Sequence, residues 1–337
     1  MLIKNIKDSQ IPVKTRKETE MKKILITIKY FYFSIYQAYK NWKRYNNSEY
    51  ELDRLVFKLL VHTHSIEKGL SIEKPRLGFG HAKQQEMMEW ITKLQKSDSK
   101  FYAETIQMAV ASLWAYLKYH EIHNYKDEFI EKICAFLELN QYDDTEQKLG
   151  GVQKIKKKDM HFNIEDVEKM FTTRHSIRDF ADSEVEMARI EKAIRLAQSC
   201  PSACNRQGVR TYIVHSKKAD ALKTWLTGIG GFEDTVKEFI LITGKLSAYK
   251  PDDYYQYVVS ASIFAAYLSL TLHTYGLGAC IIQRAVVWTE EWEEIQKKYK
   301  IPLDEQAICV LGVGNLKDEF SVPVSHRFDI QNISTWI

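Results

Sequence analysis

Between Asp253 and Tyr275 the chain runs for twenty-one residues without one Asp, Glu, Lys or Arg. A helix built from that run is apolar on nearly every side, so it belongs in a core or along a subunit seam. Gly276 and Gly278 close it. The back half must therefore wrap other elements around a buried rod. Short apolar stretches at 211–215, 239–243, 280–283 and 306–313 read as strands. Helical periodicity at 217–226 and 290–298 supplies cover. Asn163 is placed to cap a short helix, and Ser183 with Glu186 reads as a capping box for a helix to about residue 198.

The front half has another texture. Leu52, Val56, Leu59 and Leu60 form one helical stripe, and helices are predicted at 82–96, 100–120 and 126–138. Residues 1–18 read as a loose start. Gly69 is placed to stop the second helix, and 75–80 reads as a tight loop. Residues 140–160 are polar and lysine-rich around Gly150 and Gly151, which suits a domain linker. The expected division is an all-helical domain at 1–150 and an α+β domain at 161–337.

Charge is uneven. The net value is +4, yet residues 1–60 carry 13 basic against 6 acidic side chains, or +7. A solvated helical face is the plain reading, with an anionic membrane or an acidic partner as its rivals, and no nucleic acid is expected. Within that region 24–39 reads ILITIKYFYFSIYQAY. It is too short to span a bilayer. It is read as packed into the front domain or along a dimer seam, in preference to lying on a membrane surface. Five cysteines, an odd number, argue against a disulfide framework and for a reducing cytoplasm. No metal site is expected from Cys200 and Cys204, which have no second ligand pair nearby.

Neither a GxGxxG opening a βαβ unit nor a GxxxxGK[ST] is present. Anion binding falls instead to side chains. Arg174, Ser176 and Arg178 can present two guanidinium forks and a hydroxyl to one phosphate, with Arg327 joining from the far end of the chain. Asn205 and Gln207 offer amides to a flat heterocycle with alternating donors and acceptors. Cys204 lies beside Arg206 but shows no relay for thiol catalysis.

These segments resemble the nitroreductase family of FMN oxidoreductases over residues 165–330. The family's Arg-(Arg/His)-Ser-x-(Arg/Lys)-x-Phe stands as Arg174, His175, Ser176, Arg178 and Phe180. Its Pro-Ser-x-x-Asn-x-Gln stands as Pro201, Ser202, Asn205 and Gln207. Gly276-Leu277-Gly278, the strand ending at Gly314, and His326-Arg327 complete the order. The resemblance implies an α+β fold with a mostly antiparallel sheet ringed by helices. It implies a homodimer with FMN at its interface, NADH or NADPH as donor and a small organic acceptor. By the same resemblance Arg174, Ser176 and Arg327 hold the phosphate, and Arg178 approaches flavin N1 and O2. Asn205 meets the edge near O4 and N5, and Gly278, Ala279 and Cys280 lie against the other side of the ring. His175, Tyr249 and Tyr254 are minor general-acid candidates.

Three departures stand out. Gln207-Gly208-Val209 replaces Gln-Pro-Trp, a second pyrimidine-contacting Asn or Lys is not located, and simple members lack the front domain. The first two argue against nitroaromatics as native acceptors. The segment 62–80 resembles one found ahead of nitroreductase-like domains encoded among bacterial capsule and exopolysaccharide genes. That implies polysaccharide biosynthesis, with a peripheral membrane or glycan-synthesis protein contact. A non-catalytic, flavin-binding scaffold for such an assembly is the alternative.

Overall fold

The computed structural model describes residues 16–144, 148–253, 255–283, 287 and 289–337. Tyr254 lies outside them. Two compact units separate at residue 43, Met1–Lys43 and Arg44–Ile337. In the described part of the first, the chain is the helix α1 (Arg16–Tyr45), whose last turn enters the second. The apolar stripe of α1 is exposed in the single chain, with Leu25 and Phe31 at 61% and 68%.

In the second unit, α2 (Glu51–Ser71), α3 (His81–Leu94), α4 (Lys100–Ile122) and α5 (Glu128–Leu139) match the expected helices. Their inward faces share a core of Leu59, Ile91, Leu113, Tyr116 and Leu137, which Ala248 and Tyr249 join from far along the chain. Gly69 does not end α2. It lies inside the helix because the Phe79 ring covers it, and a Cβ there would sit 2.3 Å from that ring. The 75–80 loop is held on α4. Tyr119 Oη donates to Pro75 O (2.8 Å), Tyr116 Oη donates to Phe79 O (2.9 Å), and Gly78 N donates to His120 Nε2 (2.9 Å). Gly150 and Gly151, the glycines of the expected linker, are pinned to the same helices. Gly151 N donates to Glu67 and Ser112 (both 3.3 Å).

Next come α6 (Ile164–Thr173), capped by Asn163 as expected, and α7 (Met187–Ala197). Ser183 makes no capping box. Its hydroxyl accepts from Asn315 Nδ2 (2.9 Å), and α7 begins at Met187 with no side-chain cap. The strands are β1 (Val209–His215), β2 (Glu238–Lys245), β3 (Leu277–Ile282) and β4 (Glu305–Asn315). Between them lie α8 (Asp220–Trp225), α9 (Gln256–Thr274) and α10 (Thr289–Tyr299). The strands form one antiparallel sheet in the order β1-β2-β4-β3. A register shift between Ile242 and Thr243 bends β2 against β4.

Strand periodicity explains the layers. Alternate residues of β2 point to opposite faces. Phe239 and Leu241 enter a core with Trp225 of α8 and Trp292 of α10, while Ile240 and Ile242 enter a core with Phe264 and Leu268 of α9. The middle of this central strand, 239–242, is buried on both faces and apolar at every position. The charge-free rod, α9, packs one face against β2, β3, β4 and α7, while Val259 and Tyr267 stay exposed on the other. Among the described residues, it alone is long and apolar enough to cross a membrane by length and composition.

Candidate functional site

The first arginine segment leaves α6 in extended conformation, with Arg174 as the C-cap residue. Ser176 bridges Ala279 in parallel, and Ile177 N donates to Ala279 O (3.1 Å). Ile177 and Phe180 turn inward while Arg178 is exposed. Two glycines make room for Phe180. A Cβ on Gly314 would lie 2.7 Å from its ring, and one on Gly278 would lie 3.1 Å from it. The motif's aromatic residue and both glycines therefore form one packing lock. That lock holds the arginine segment along β3 beside Ala279 and Cys280.

Positive charge collects there. The Cys280 thiol is pushed up by burial, against the pull of Arg178 and Arg174. His273, at the end of α9, is held neutral to lower pH by burial, then by Arg174 and His175. Thr173 Oγ1 lies 2.8 Å from its Nε2. Among the described residues no carboxylate pairs with Arg174, Arg178 or Arg327. Arg178 reaches only its neighbour Ser176 O at 3.5 Å, and Arg327 donates to Ser325 O at 2.5 Å in an exposed C-terminal segment.

The second segment is built differently. Cys204, Asn205 and Gln207 all sit at φ +52°, a left-handed conformation unusual for residues with a Cβ. Ser202 braces the loop. Its hydroxyl accepts from Gln207 N (3.1 Å) and its carbonyl accepts from Asn205 N (3.0 Å). Arg206 is tied down by Asp253 (2.7 Å) and lies over the Tyr249 ring, 5.0 Å from its centroid. Gly208 is required because a Cβ would meet Ala248 at 2.8 Å. Pro201 and Gln207 are exposed, and Asn205 is half-buried.

The structure does not bring the two segments together within one chain. Ala203 N donates to Ser260 Oγ (3.4 Å) near the start of α9, whereas Thr173 meets His273 at its end. Thirteen residues of helix separate those anchors, about 20 Å at 1.5 Å per residue. Arg327 likewise makes no described contact with Arg174. Tyr249, a minor acid candidate, is a buried core residue, and burial pushes its hydroxyl up.

Sequence reasoning missed what surrounds the second segment. A cavity of about 650 Å³ opens between Ser202, Arg206 and Gln207, the α2 and α4 side chains Leu60 and Met108, and the sheet. Arg210 lies over the Phe101 ring on its wall, 4.9 Å from the centroid. The available signal was Arg210 standing just ahead of the expected strand 211–215. A larger cavity, about 1200 Å³, lies by α8 and α10 and includes none of the motif residues. Near it Glu184, His215 and Glu238 cluster. His215 Nδ1 accepts from Lys217 N (3.2 Å), so the proton sits on Nε2, facing Glu184 at 3.2 Å. A protonated nitrogen donates a hydrogen bond and does not ligate a metal.

Residues 171–240 match the family model described as the nitroreductase family, which spans both motif segments and stops short of Gly278 and Arg327. Over those residues the chain is similar to the nitroreductase family, and helices precede the matched region. No curated protein matches it. Among solved structures it is similar to an FMN-dependent nitroreductase from Clostridium difficile, at 25% identity over 50% of this chain and 98% of that one, TM-score 0.43. A nitroreductase-like protein from Streptococcus mutans is 19% identical over 52% of this chain and 100% of its own, TM-score 0.43. A protein from Desulfovibrio desulfuricans solved in complex with FMN is 18% identical over 51% of this chain and 96% of its own, TM-score 0.44.

Proposed function

We propose that this chain is an FMN-dependent oxidoreductase acting as a homodimer, with each flavin held by the 174–178 segment of one copy and the 201–207 loop of the other. The observation that carries this reading is the set of arginines without carboxylate partners, two of them on the family-matched segment beside Ala279 and Cys280. Cations left unneutralised on a rigid edge suit an anionic ligand. Three left-handed residues in the other segment are a second sign, since such backbone is retained where a site needs it. The 20 Å between the segments is the reason for two copies.

Arg174, Ser176 and Arg327 would hold the phosphate. FMN would supply the two-electron carrier between NADH or NADPH and a small organic acceptor. Arg178 would stabilise negative charge developing on the pyrimidine side, an effect that strengthens where water is excluded. The acceptor would rest in the 650 Å³ cavity, whose front-helix wall gives the N-terminal helices a role in substrate choice. Purified protein should show flavin absorbance near one FMN per chain and oxidise NADH or NADPH. A colourless protein that takes up no added FMN would refute the reading. A flavin-loaded protein inert to both donors would favour a non-catalytic scaffold.

A further inference from the structure

The proposed reduction needs something besides hydride. An acceptor that takes hydride is left with a negative charge and has to gain a proton. The cavity of about 650 Å³ holds a source in its wall. Tyr212 of β1 and Glu305 of β4 both line it, together with Ser202 and Gln207 of the family-matched loop. The Tyr212 hydroxyl lies 2.8 Å from Glu305 Oε2. Arg210 stands two residues before Tyr212, on the same face of β1. Its guanidinium donates to the Val209 (2.7 Å) and Gln207 (3.2 Å) carbonyls.

Glu305 is 2% exposed, and its partners are hydroxyls. Thr243 Oγ1 donates to Oε2 at 2.5 Å beside Tyr212, and among the described residues no ion pair includes this carboxyl. The charges around it do not cancel. Lys245 of β2 is taken by Asp53 of α2 at 2.6 Å, with Asp304, just before β4, at 3.6 Å. Tyr102 of α4 donates to Asp53 (2.7 Å) and adds no charge. From α10 the uncharged Trp292 and Gln296 donate to the Glu305 carbonyl (2.9 and 3.1 Å). Arg44 is paired with Glu293. One ammonium thus serves three carboxyls in a place where an unanswered charge is costly. Burial pushes the carboxyls of Asp304 and Glu305 up, so the cluster keeps a proton. Of those two, Glu305 lines the cavity.

We propose that Tyr212 gives its proton to the acceptor as hydride arrives, with Glu305 behind it as the proton store; this rests on the flavin reading above. A hydroxyl both donates and accepts. With Glu305 protonated, the 2.8 Å contact runs from carboxyl to phenol and leaves the phenol hydrogen for the cavity. In the step the acceptor is reduced by hydride, at the expense of the reduced flavin that NADH or NADPH has charged. The Tyr212 O–H bond breaks as an O–H or C–H bond forms on the acceptor. The Glu305 O–H bond breaks as the Tyr212 O–H bond re-forms. Water entering after product release returns a proton to Glu305 through Tyr212. Burial and the Glu305 carboxylate hold the Tyr212 hydroxyl up, and Arg210 works against them, so Arg210 answers the phenolate while it lasts. Tyr212 is the catalytic residue here, and Glu305 is a positioning residue acting through it. The acceptor such a wall suits is a conjugated carbonyl compound such as a quinone, which must gain a proton with its electrons.

The test uses the full chain loaded with FMN and two acceptors, menadione, which gains protons, and ferricyanide, which gains only electrons. Tyr212→Phe should lower the ratio of menadione to ferricyanide turnover roughly 100-fold, and Glu305→Gln should lower it too. In the native chain that ratio should fall as pH rises through the folded value of the Glu305 carboxyl, where the acid form is lost. Glu305→Gln keeps the shape of the group and should show no such fall. Infrared spectra should contain a protonated-carboxyl band that Glu305→Gln removes, with or without FMN bound. Unfolding midpoint and FMN content per chain confirm that each variant folds. An unaltered ratio in both variants overturns the proposal, as does a fall with pH that survives in Glu305→Gln or the absence of the infrared band. A native chain that binds no FMN, or whose bound flavin is bleached by neither NADH nor NADPH, overturns the flavin reading itself and this step with it.

Discussion

Two sets of basic side chains occupy the Arg44–Ile337 unit, and they are neutralised in opposite ways. Lys245 is nearly buried between Asp53 (2.6 Å) and Asp304 (3.6 Å), Arg44 meets Glu293 at 3.3 Å, and Arg206 meets Asp253 at 2.7 Å. These tie α2 to the sheet, the last turn of α1 to α10, and the 201–207 loop to the segment before α9. Arg174, Arg178 and Arg327 have no such acid among the described residues. A buried cation without a counter-charge is costly, so structural cations come paired. Cations at a ligand site are left open because the ligand brings the counter-charge. The contrast separates buried cations paired within the fold from accessible ones open to a ligand.

If that separation is right, the two sets respond differently to substitution. Lys245→Met strands two carboxylates, one of them the fully buried Asp304, and should cost about 3–5 kcal/mol in denaturant unfolding with flavin affinity of the survivors little changed. Arg178→Ala should do the reverse. Turnover should fall roughly 100-fold or more, with the unfolding midpoint barely moved. An equal loss of stability in Arg178→Ala would break the comparison. Gly314→Ala probes the lock between them. Driving a methyl to 2.7 Å from Phe180 should cost about 1–3 kcal/mol and loosen flavin retention as the arginine segment shifts.

The smallest effect is in pH. Burial pushes the carboxyls of Asp304 and Glu305 upward. A raised carboxyl binds more protons folded than unfolded, so it favours the fold below its unfolded value. That contribution is lost as pH rises through the folded value. The stability of the native chain relative to Glu305→Gln should therefore decline as pH climbs from about 4. A rising difference would contradict the assignment.

The strands and most helices were legible because burial leaves a period. All four strands lie within three residues of the expected bounds, and 239–242 is apolar throughout because both faces of β2 are covered. Local polar signals were weaker guides. Ser183 and Glu186 have the spacing of a capping box, yet Asn315, 132 residues away, takes the Ser183 hydroxyl. Gly69 has the composition of a helix stop, and the Phe79 ring decided otherwise. Periodicity in α1 revealed an apolar stripe but could not say what covers it. Of the site, the arginine segment was readable in order and spacing. The distance between that segment and the 201–207 loop was not, since it depends on which end of α9 each one meets.

The central claim is that one flavin needs the arginines of one copy and the loop of another. Subunits carrying Arg174→Ala with Arg178→Ala can be co-expressed with subunits carrying Asn205→Ala with Gln207→Ala, and the mixed dimers isolated by two tags. Each parent should be colourless. The mixed dimer pairs both lesions in one site and leaves the other intact, so it should bind close to one FMN per dimer and recover turnover. A mixed dimer as empty as its parents would contradict the account, because it would place both segments around a flavin within a single chain.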